Sequence, residues 1–326
     1  MHPRTRILAS LAVAALWTLG PLPAAQAQSY PSKPVKLVVP YSAGGLPDTV
    51  ARMLAQRLQE AMGQTVVVEN RPGANGAVAA AALSGATADG HTLLVTDGSM
   101  LTINPLLYKK LAYDPHTDFA PVSLVARSPL FMAVHPSVKA NTFDEFIALA
   151  KAKPGTLNYG SSGIGSSHHL TAEAMKAGLG LSMQHIPFRG TANSMPALVG
   201  GQVDMVFSAL PSLAGFMKSG QVRVLAVNTE KRSTLAPDVP SIAERLPGFD
   251  FAVMVIVMAP KGTPEDVIAR LSGEIERIAR RPEVVAQMQV PGIEMVGGGP
   301  AQLVQALRDE TARMERAARS ASLQQE

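Results

Sequence analysis

Two long, extended apolar runs most constrain this chain: "APVSLVARSPLFMAVHP" at 120–136 and "FAVMVIVMAP" at 251–260. The first exceeds an ordinary strand of about 3–10 residues. It is broken at Ser128-Pro129, where proline cannot donate to a ladder. It therefore reads as two strand pieces in series, a crossing from one α/β unit to another. The second run is the natural return.

The segments around these runs alternate regularly. "VKLVVP" (35–40), "TVVVEN" (65–70) and "HTLLVT" (91–96) are short apolar runs that read as buried strands. "TVARMLAQRLQEAM" and "AVAAAALSG" between them read as helices. Pro47 fits the first position of the former, Asp48 its first turn, and Gly63 its end. This β-α-β-α-β rhythm predicts parallel strands with helices on their faces. After the first crossing comes the helix "NTFDEFIALAKAKPG", with a Thr142–Glu145 capping box. Strands "LNYGS", "MQHIPF", "QVDMVFSA" and "VRVLAVN" then alternate with helices "HLTAEAMKAGL", "NSMPALVG" and "PSLAGFMKSG". A further helix is expected from Thr263 as cap and Pro264 as first residue. The reading is an α/β chain of two lobes, each a mixed sheet flanked by helices, joined by two extended crossover strands. The expected parts are a leader at 1–27, lobe 1 at 28–126 and 254–326, and lobe 2 at 127–253. Such a hinged cleft suits closure around a small ligand.

The leader reading rests on Arg4 and Arg6, the apolar run from Ile7 to Leu19 and the small-residue signature Ala25-Gln26-Ala27. That is the order of a secretory signal peptide, with cleavage expected near Ala27. The run is shorter than the roughly 20 residues that span a bilayer. Its removal takes the formal charge from +4 to +2. No basic run is present, so nucleic acid is not an expected partner. The chain has no cysteine. Zinc–thiolate sites and cysteine nucleophiles are excluded, and an exported fold must rest on its apolar core.

Two Gly/Ser-rich segments follow predicted strands, where ligands sit in open α/β sheets. "PYSAGGLPD" (40–48) follows the first strand and "GSSGIGSSHH" (160–169) follows the first strand of the second lobe. Glycine lets backbone approach a ligand, and helix starts offer N–H groups and a favourable dipole to an anion. Facing each other, the two segments would clamp a carboxylate. Catalytic patterns fail by contrast. G-x-G-x-x-G is broken at His168, and neither Walker A nor G-x-S-x-G is present. His169 and Glu173 stand one helical turn apart but lack further metal ligands at sensible spacing. No cofactor and no metal are expected. Of His168 and His169, one ring is expected buried and one solvated. Arg71, on a loop after a strand, reads first as part of a turn.

These residues resemble a known family. "KPVKLVVPYSAGGLPDTVARMLAQRL", "VVVENRPGANG", "INPLLYKKLAYDPHTDFAPVSLVA", "AKAKPGTLNYGSSGIGSSHHLTAE", "HIPFRGTANSMPALVGGQVDMVF" and "RSTLAPDVPSIAE" line up in order with the Bug-type receptors of tripartite tricarboxylate transporters. The resemblance implies a periplasmic, two-lobed "Venus flytrap" that presents a small carboxylate to membrane permease subunits, without catalysis. It implies ligand contacts, partly through water, from Tyr41, Ser42, Ala43, Gly44, Gly45 and Asp48 in the first loop. The second loop would contribute Ser161, Ser162, Gly165, Ser166, Ser167 and His169. Arg189, Thr191, Asp204 and Ser208 are further wall candidates. A monomer is expected. A sensing module for a membrane partner and an exported enzyme acting on small acids are the rival readings. Ile164, Phe207, Met254 and Ile256 depart from the family pattern toward apolar residues. Either the ligand has an apolar or aromatic body, or these positions face the core.

Overall fold

The computed structural model describes residues 30–41, 43–73, 76–188 and 190–325. The chain divides into Met1–Ser32, of which residues 30–32 are described, and Lys33–Glu326, which holds both sheets. The expected leader lies outside the described residues, as do Ser42 and Arg189. No helix among the described residues is long and apolar enough to cross a membrane.

In the first sheet, β1 (Val35–Val39) lies parallel between β2 (Val66–Asn70) and β3 (Thr92–Asp97). The connecting helices are α1 (Leu46–Met62) and α2 (Ala77–Ser84). This is the rhythm expected from the sequence. The long run at 120–136 divides at Pro129 into β4 (Phe119–Ser128) and β5 (Phe131–Val134). The second run supplies β10 (Val253–Pro260), antiparallel to both β3 and β4. With β11 (Glu294–Gly298) on β4, the order is β11-β4-β10-β3-β1-β2. β10 is buried along nearly its whole length, which is why it reads as continuous apolar sequence rather than alternation.

The second sheet has the order β7-β6-β8-β5-β9. Its strands are β6 (Asn158–Ser161), β7 (Gln184–Pro187), β8 (Met205–Ser208) and β9 (Arg223–Val227), besides β5. β6 runs parallel to β7 and β8, whereas β5 is antiparallel to β8 and β9. One face packs Met132, Tyr159, Met205 and Phe207; the other packs Phe131, Ala133, Val206 and Val227.

Asn228 ties the two crossings together. It is fully buried, its Oδ1 accepts from Leu130 N–H at 2.8 Å, and its Nδ2 donates to the Phe251 carbonyl at 2.7 Å. Its own backbone pairs with the same two residues. Alongside, Arg127 and Asp250 form an ion pair at 2.7 Å.

The last helix, α11 (Pro300–Ser320), belongs to both halves. Leu303 packs with the core of the first sheet, while Met314, Ala317 and Ala318 pack with the core of the second. Its apolar stripe is thus shared between two cores, whereas the sequence boundary put all of 254–326 in lobe 1. Two helix starts also differ from expectation. Pro264 is itself the cap of the helix Glu265–Ala279, and the Thr263 hydroxyl donates back to Pro260 at 2.8 Å. Thr142 accepts from Glu145 N–H, but Glu145 Oε2 reaches Asn141 N–H at 2.6 Å, one residue before the cap.

Candidate functional site: a cleft lined by helix starts

The parallel strands end on a common cleft of about 430 Å³. Tyr41 follows β1 and Asp97 ends β3, while Ser162 follows β6 and Ser208 ends β8. Ser128, Leu130 and Val253 of the two crossings form the rest of its floor. Strand ends of neighbouring parallel strands leave such a crevice because their connections depart to opposite faces.

Helices begin at the same place. Gly45, Leu46 and Pro47 open α1, and Ser166, Ser167 and His168 open α6 (Ser167–Leu179). Thr191 opens α7 (Thr191–Val199), and Ala209 precedes α8 (Leu210–Lys218), which brings Ser212 to the cleft. The first N–H groups of a helix have no partner within it. At Gly45, Gly190 and Ala209 no side chain caps them. Four helix starts, three of them without a side-chain cap, and the hydroxyls around them form a site for an anion. Among the described residues the lining contains no Lys or Arg; its titratable members are Tyr41, Asp97 and His168.

The sequence candidates separate into lining and support. Tyr41, Gly45, Ser162, Ser166, Ser167, Thr191 and Ser208 line the cleft. Asp48 does not. It is buried, accepts from Gly44 N–H at 2.8 Å, Arg52 Nε at 2.9 Å and Asn70 Nδ2 at 2.8 Å, and borders a separate hollow with Ala43 and Gly44. Burial alone would raise its pKa, but these donors outweigh it and hold the carboxyl below its ordinary range. Ser161 is also internal: its hydroxyl accepts from Gly163 N–H and lies 2.7 Å from His185 Nε2. Gly165 shapes the loop. Its φ is +73°, and a Cβ there would sit 2.5 Å from Leu107 Cδ1. Asp204 lies at the opposite end of the sheet, where its Oδ2 accepts from Asn158 N–H at 2.8 Å. A carboxylate beginning β8 cannot share a ligand with a hydroxyl ending it. Arg71 is engaged by Glu69 at 2.5 Å.

Of the paired histidines, His169 was the expected ligand contact, but His168 is the one in the lining. His169 is the buried ring, stacked on His185 at 3.9 Å and accepting from Gly165 N–H at 3.1 Å. His168 is the cleft residue, with Nδ1 2.9 Å from Ser162 Oγ. Burial pushes His168 down to about 4, so it is neutral at neutral pH. Asp97 and Ser99 were missed. Asp97 Oδ1 accepts from Tyr41 Oη at 2.9 Å, from Ser99 N–H at 3.0 Å and from the Ser99 hydroxyl. "VTDGS" at 95–99 carried the signal, since polar residues between a strand and a helix start lie where β1 and β6 also present theirs. The apolar departures are not cleft residues. Phe207, Met254 and Ile256 are core residues, 1% exposed or less, and Ile164 is 66% exposed and outside the lining. The inference of an apolar ligand body therefore loses its basis in those four positions.

A two-lobed α/β chain with helix starts converging on a cleft defines a solute-binding receptor of the periplasmic binding protein class. Residues 50–323 match the family model described as the tripartite tricarboxylate transporter family receptor, TctC. The chain belongs to that family. It is 34% identical over 311 residues to Protein BugT of Bordetella pertussis, covering 95% of each chain. A Rhodopseudomonas palustris protein solved with adipate superposes with a TM-score of 0.77 at 33% identity, over 91% of this chain and all of the other. MatC from the same organism, solved with malate, gives 0.70 at 30%, over 88% of this chain and 99% of the other.

Proposed function

We propose that this protein is an exported receptor that binds a small organic carboxylate in the cleft and delivers it to the membrane subunits of a tripartite tricarboxylate-type transporter. One observation carries the reading: helix starts at 46, 167, 191 and 210 meet there with the hydroxyls of Ser162, Ser167, Ser208 and Ser212. Buried carboxylate oxygens are tolerated only when each is hydrogen-bonded, and this arrangement offers donors from both lobes. The two relatives were solved with adipate and malate, both small carboxylates, which supports a small carboxylate as the class of ligand here. The crossings at Ser128–Leu130 and near Val253 act as the hinge, and the signal segment directs the chain to the periplasm. A receptor function accounts for the site without a nucleophile or an acid–base pair.

Native mass spectrometry of the purified protein, followed by calorimetric titration of the acids found, tests the reading. A trapped small carboxylate, rebinding at one site per chain and unchanged after incubation, is expected. Turnover of the bound acid would replace the receptor with an enzyme. Failure of every small carboxylate to bind would end the reading.

A further inference from the structure

Among the described residues of its lining, the cleft has one acid. Asp97 lines it from the end of β3, and every neighbour that bonds to its carboxylate does so as a donor: Tyr41 Oη, Ser99 N–H and the Ser99 hydroxyl. The backbone of Met100 adds a favourable interaction of the same kind. No cation in the described lining balances it. Arg127 of the crossing is paired with Asp250 at 2.7 Å, and its charge, like that of Arg313, acts on Glu310. Behind Asp97 stands a second carboxyl. Glu310 of α11 accepts from Thr102 at 3.1 Å and approaches the backbone so closely that a Cβ on Gly98 would meet its Oε2 at 2.2 Å. Across the cleft His168 is neutral. Burial pushes Asp97 above its ordinary range, against the pull of its donors, as expected for a carboxylate lacking a cation.

We propose that Asp97 is the specificity residue of this cleft and selects a carboxylate ligand that also carries a hydrogen-bond donor, ammonium or hydroxyl, to face it. The proposal rests on the carboxylate-receptor reading and narrows its substrate class. The helix starts take the ligand's carboxylate, and Asp97, an acceptor when ionised, takes the donor. A ligand with a second carboxylate at that place would set two anions against each other beside Glu310, with no described cation between them. A plain monocarboxylate would close the cleft over Asp97 while adding no donor to those of Tyr41 and Ser99. A site built around such an acceptor rejects analogues lacking the donor more strongly than an apolar pocket rejects a missing methylene.

The test is calorimetric titration of the full mature chain with matched acids. The four-carbon set comprises acids with an amino or hydroxyl group at C2, C3 or C4, against butyrate and succinate. The six-carbon set comprises 6-aminohexanoate and 6-hydroxyhexanoate against hexanoate and adipate. At least one donor-bearing acid is expected to bind about ten-fold or more tighter than its plain and diacid counterparts, the range of a charge-assisted hydrogen bond. The amino and hydroxy members separate the two sources of donor. In Asp97→Asn the preference should shrink to within about three-fold, because the amide keeps an acceptor for Tyr41 and Ser99 but turns a donor to the cleft. Butyrate, succinate or adipate binding as tightly as every donor-bearing partner in the wild-type chain overturns the proposal and leaves the carboxylate receptor standing. So does an unchanged preference in the variant. Absence of binding by all acids in both sets removes both readings.

Discussion

The rings of His169 and His185 lie face to face, 3.9 Å between centroids and 13° from parallel, with Tyr159 stacked on His185 at 4.9 Å. Two imidazoles in such contact cannot both be charged without strong repulsion. Burial lowers the pKa of His169 and takes that of His185 to about 4. His168, one residue away, is also held at about 4 by burial. A folded pKa below the unfolded value of about 6.5 means that the unfolded chain binds protons first, so stability is full above that value and falls as pH drops toward 4. Glu310 works in the opposite sense, since burial raises it to about 7 and its contribution declines as pH rises. Comparison with a variant cancels that term. Urea unfolding of His185→Gln, which keeps a partner for Ser161, should show a shallower loss of stability between pH 6.5 and 4 than the parent chain. Parallel curves for the two proteins would refute the stack as a source of acid sensitivity.

Ser166 and Ser167 are adjacent, but their hydroxyls have different work. Ser166 Oγ donates to the Gly163 carbonyl at 2.7 Å and accepts from His169 N–H at 3.2 Å, so it caps α6. Ser167 Oγ makes no described hydrogen bond within the protein and faces the cleft. Ser166→Ala should cost about 1 kcal/mol of stability, the usual effect of a lost cap. Ser167→Ala should leave the unfolding midpoint in place and weaken carboxylate binding by about 1–3 kcal/mol, as expected for a hydrogen bond to a charged group. Thermal unfolding and titration of both variants separate the roles, and reversal of the two phenotypes would contradict the assignment.

How much of this could be read from the chain depended on range. Strands and helices from Val35 to Asp97, and the break at Pro129, follow from local pattern because apolar period and proline act within a few residues. The choice between His168 and His169 does not. Successive helical residues point about 100° apart, and only the docking of α6 against β6 and β7 tells which of them faces inward. Met254, Ile256 and Phe207 were ambiguous for the same reason. A strand covered on both faces gives no alternation, so sequence cannot say whether an unusual apolar residue meets ligand or core. Asp97 required the order of strands in the sheet, which places β3 beside β1. The split allegiance of α11 required knowing that Met314 lies on the second sheet's core while Leu303 lies on the first.

Asn228 provides the covalently modest but fully buried tie between the crossings. Its side chain satisfies Leu130 N–H and the Phe251 carbonyl. Asn228→Ala leaves a donor and an acceptor unpaired, at about 1–3 kcal/mol each. The expected loss is about 2–6 kcal/mol in chemical denaturation, large for a residue outside the cleft lining. A midpoint shift too small to measure would show that the crossings are held by their strand neighbours alone.

Asp48 tests whether a residue outside the cleft sets its geometry. Its carboxylate binds Gly44 N–H and Arg52, and through Asn70 it reaches the main chain of Tyr41, because Asn70 Nδ2 donates both to Asp48 Oδ1 at 2.8 Å and to the Tyr41 carbonyl at 3.0 Å. The loop that carries Tyr41 and the start of α1 is therefore pinned from behind. Replacement by asparagine keeps the shape but discards the charge that gathers these donors. Carboxylate affinity should fall by about 1–2 kcal/mol although Asp48 does not line the cleft, a loss on the scale of one charge-assisted bond. Because the folded pKa of Asp48 lies below the unfolded value, its stabilisation is present above about pH 4 and is lost as pH falls further. Asp48→Asn should thus flatten the acid limb of the stability profile below pH 4, while the histidine-dependent limb between 6.5 and 4 stays as in the parent. Weakened binding together with an unaltered limb below pH 4 would mean that the loop is held by shape and not by the carboxylate.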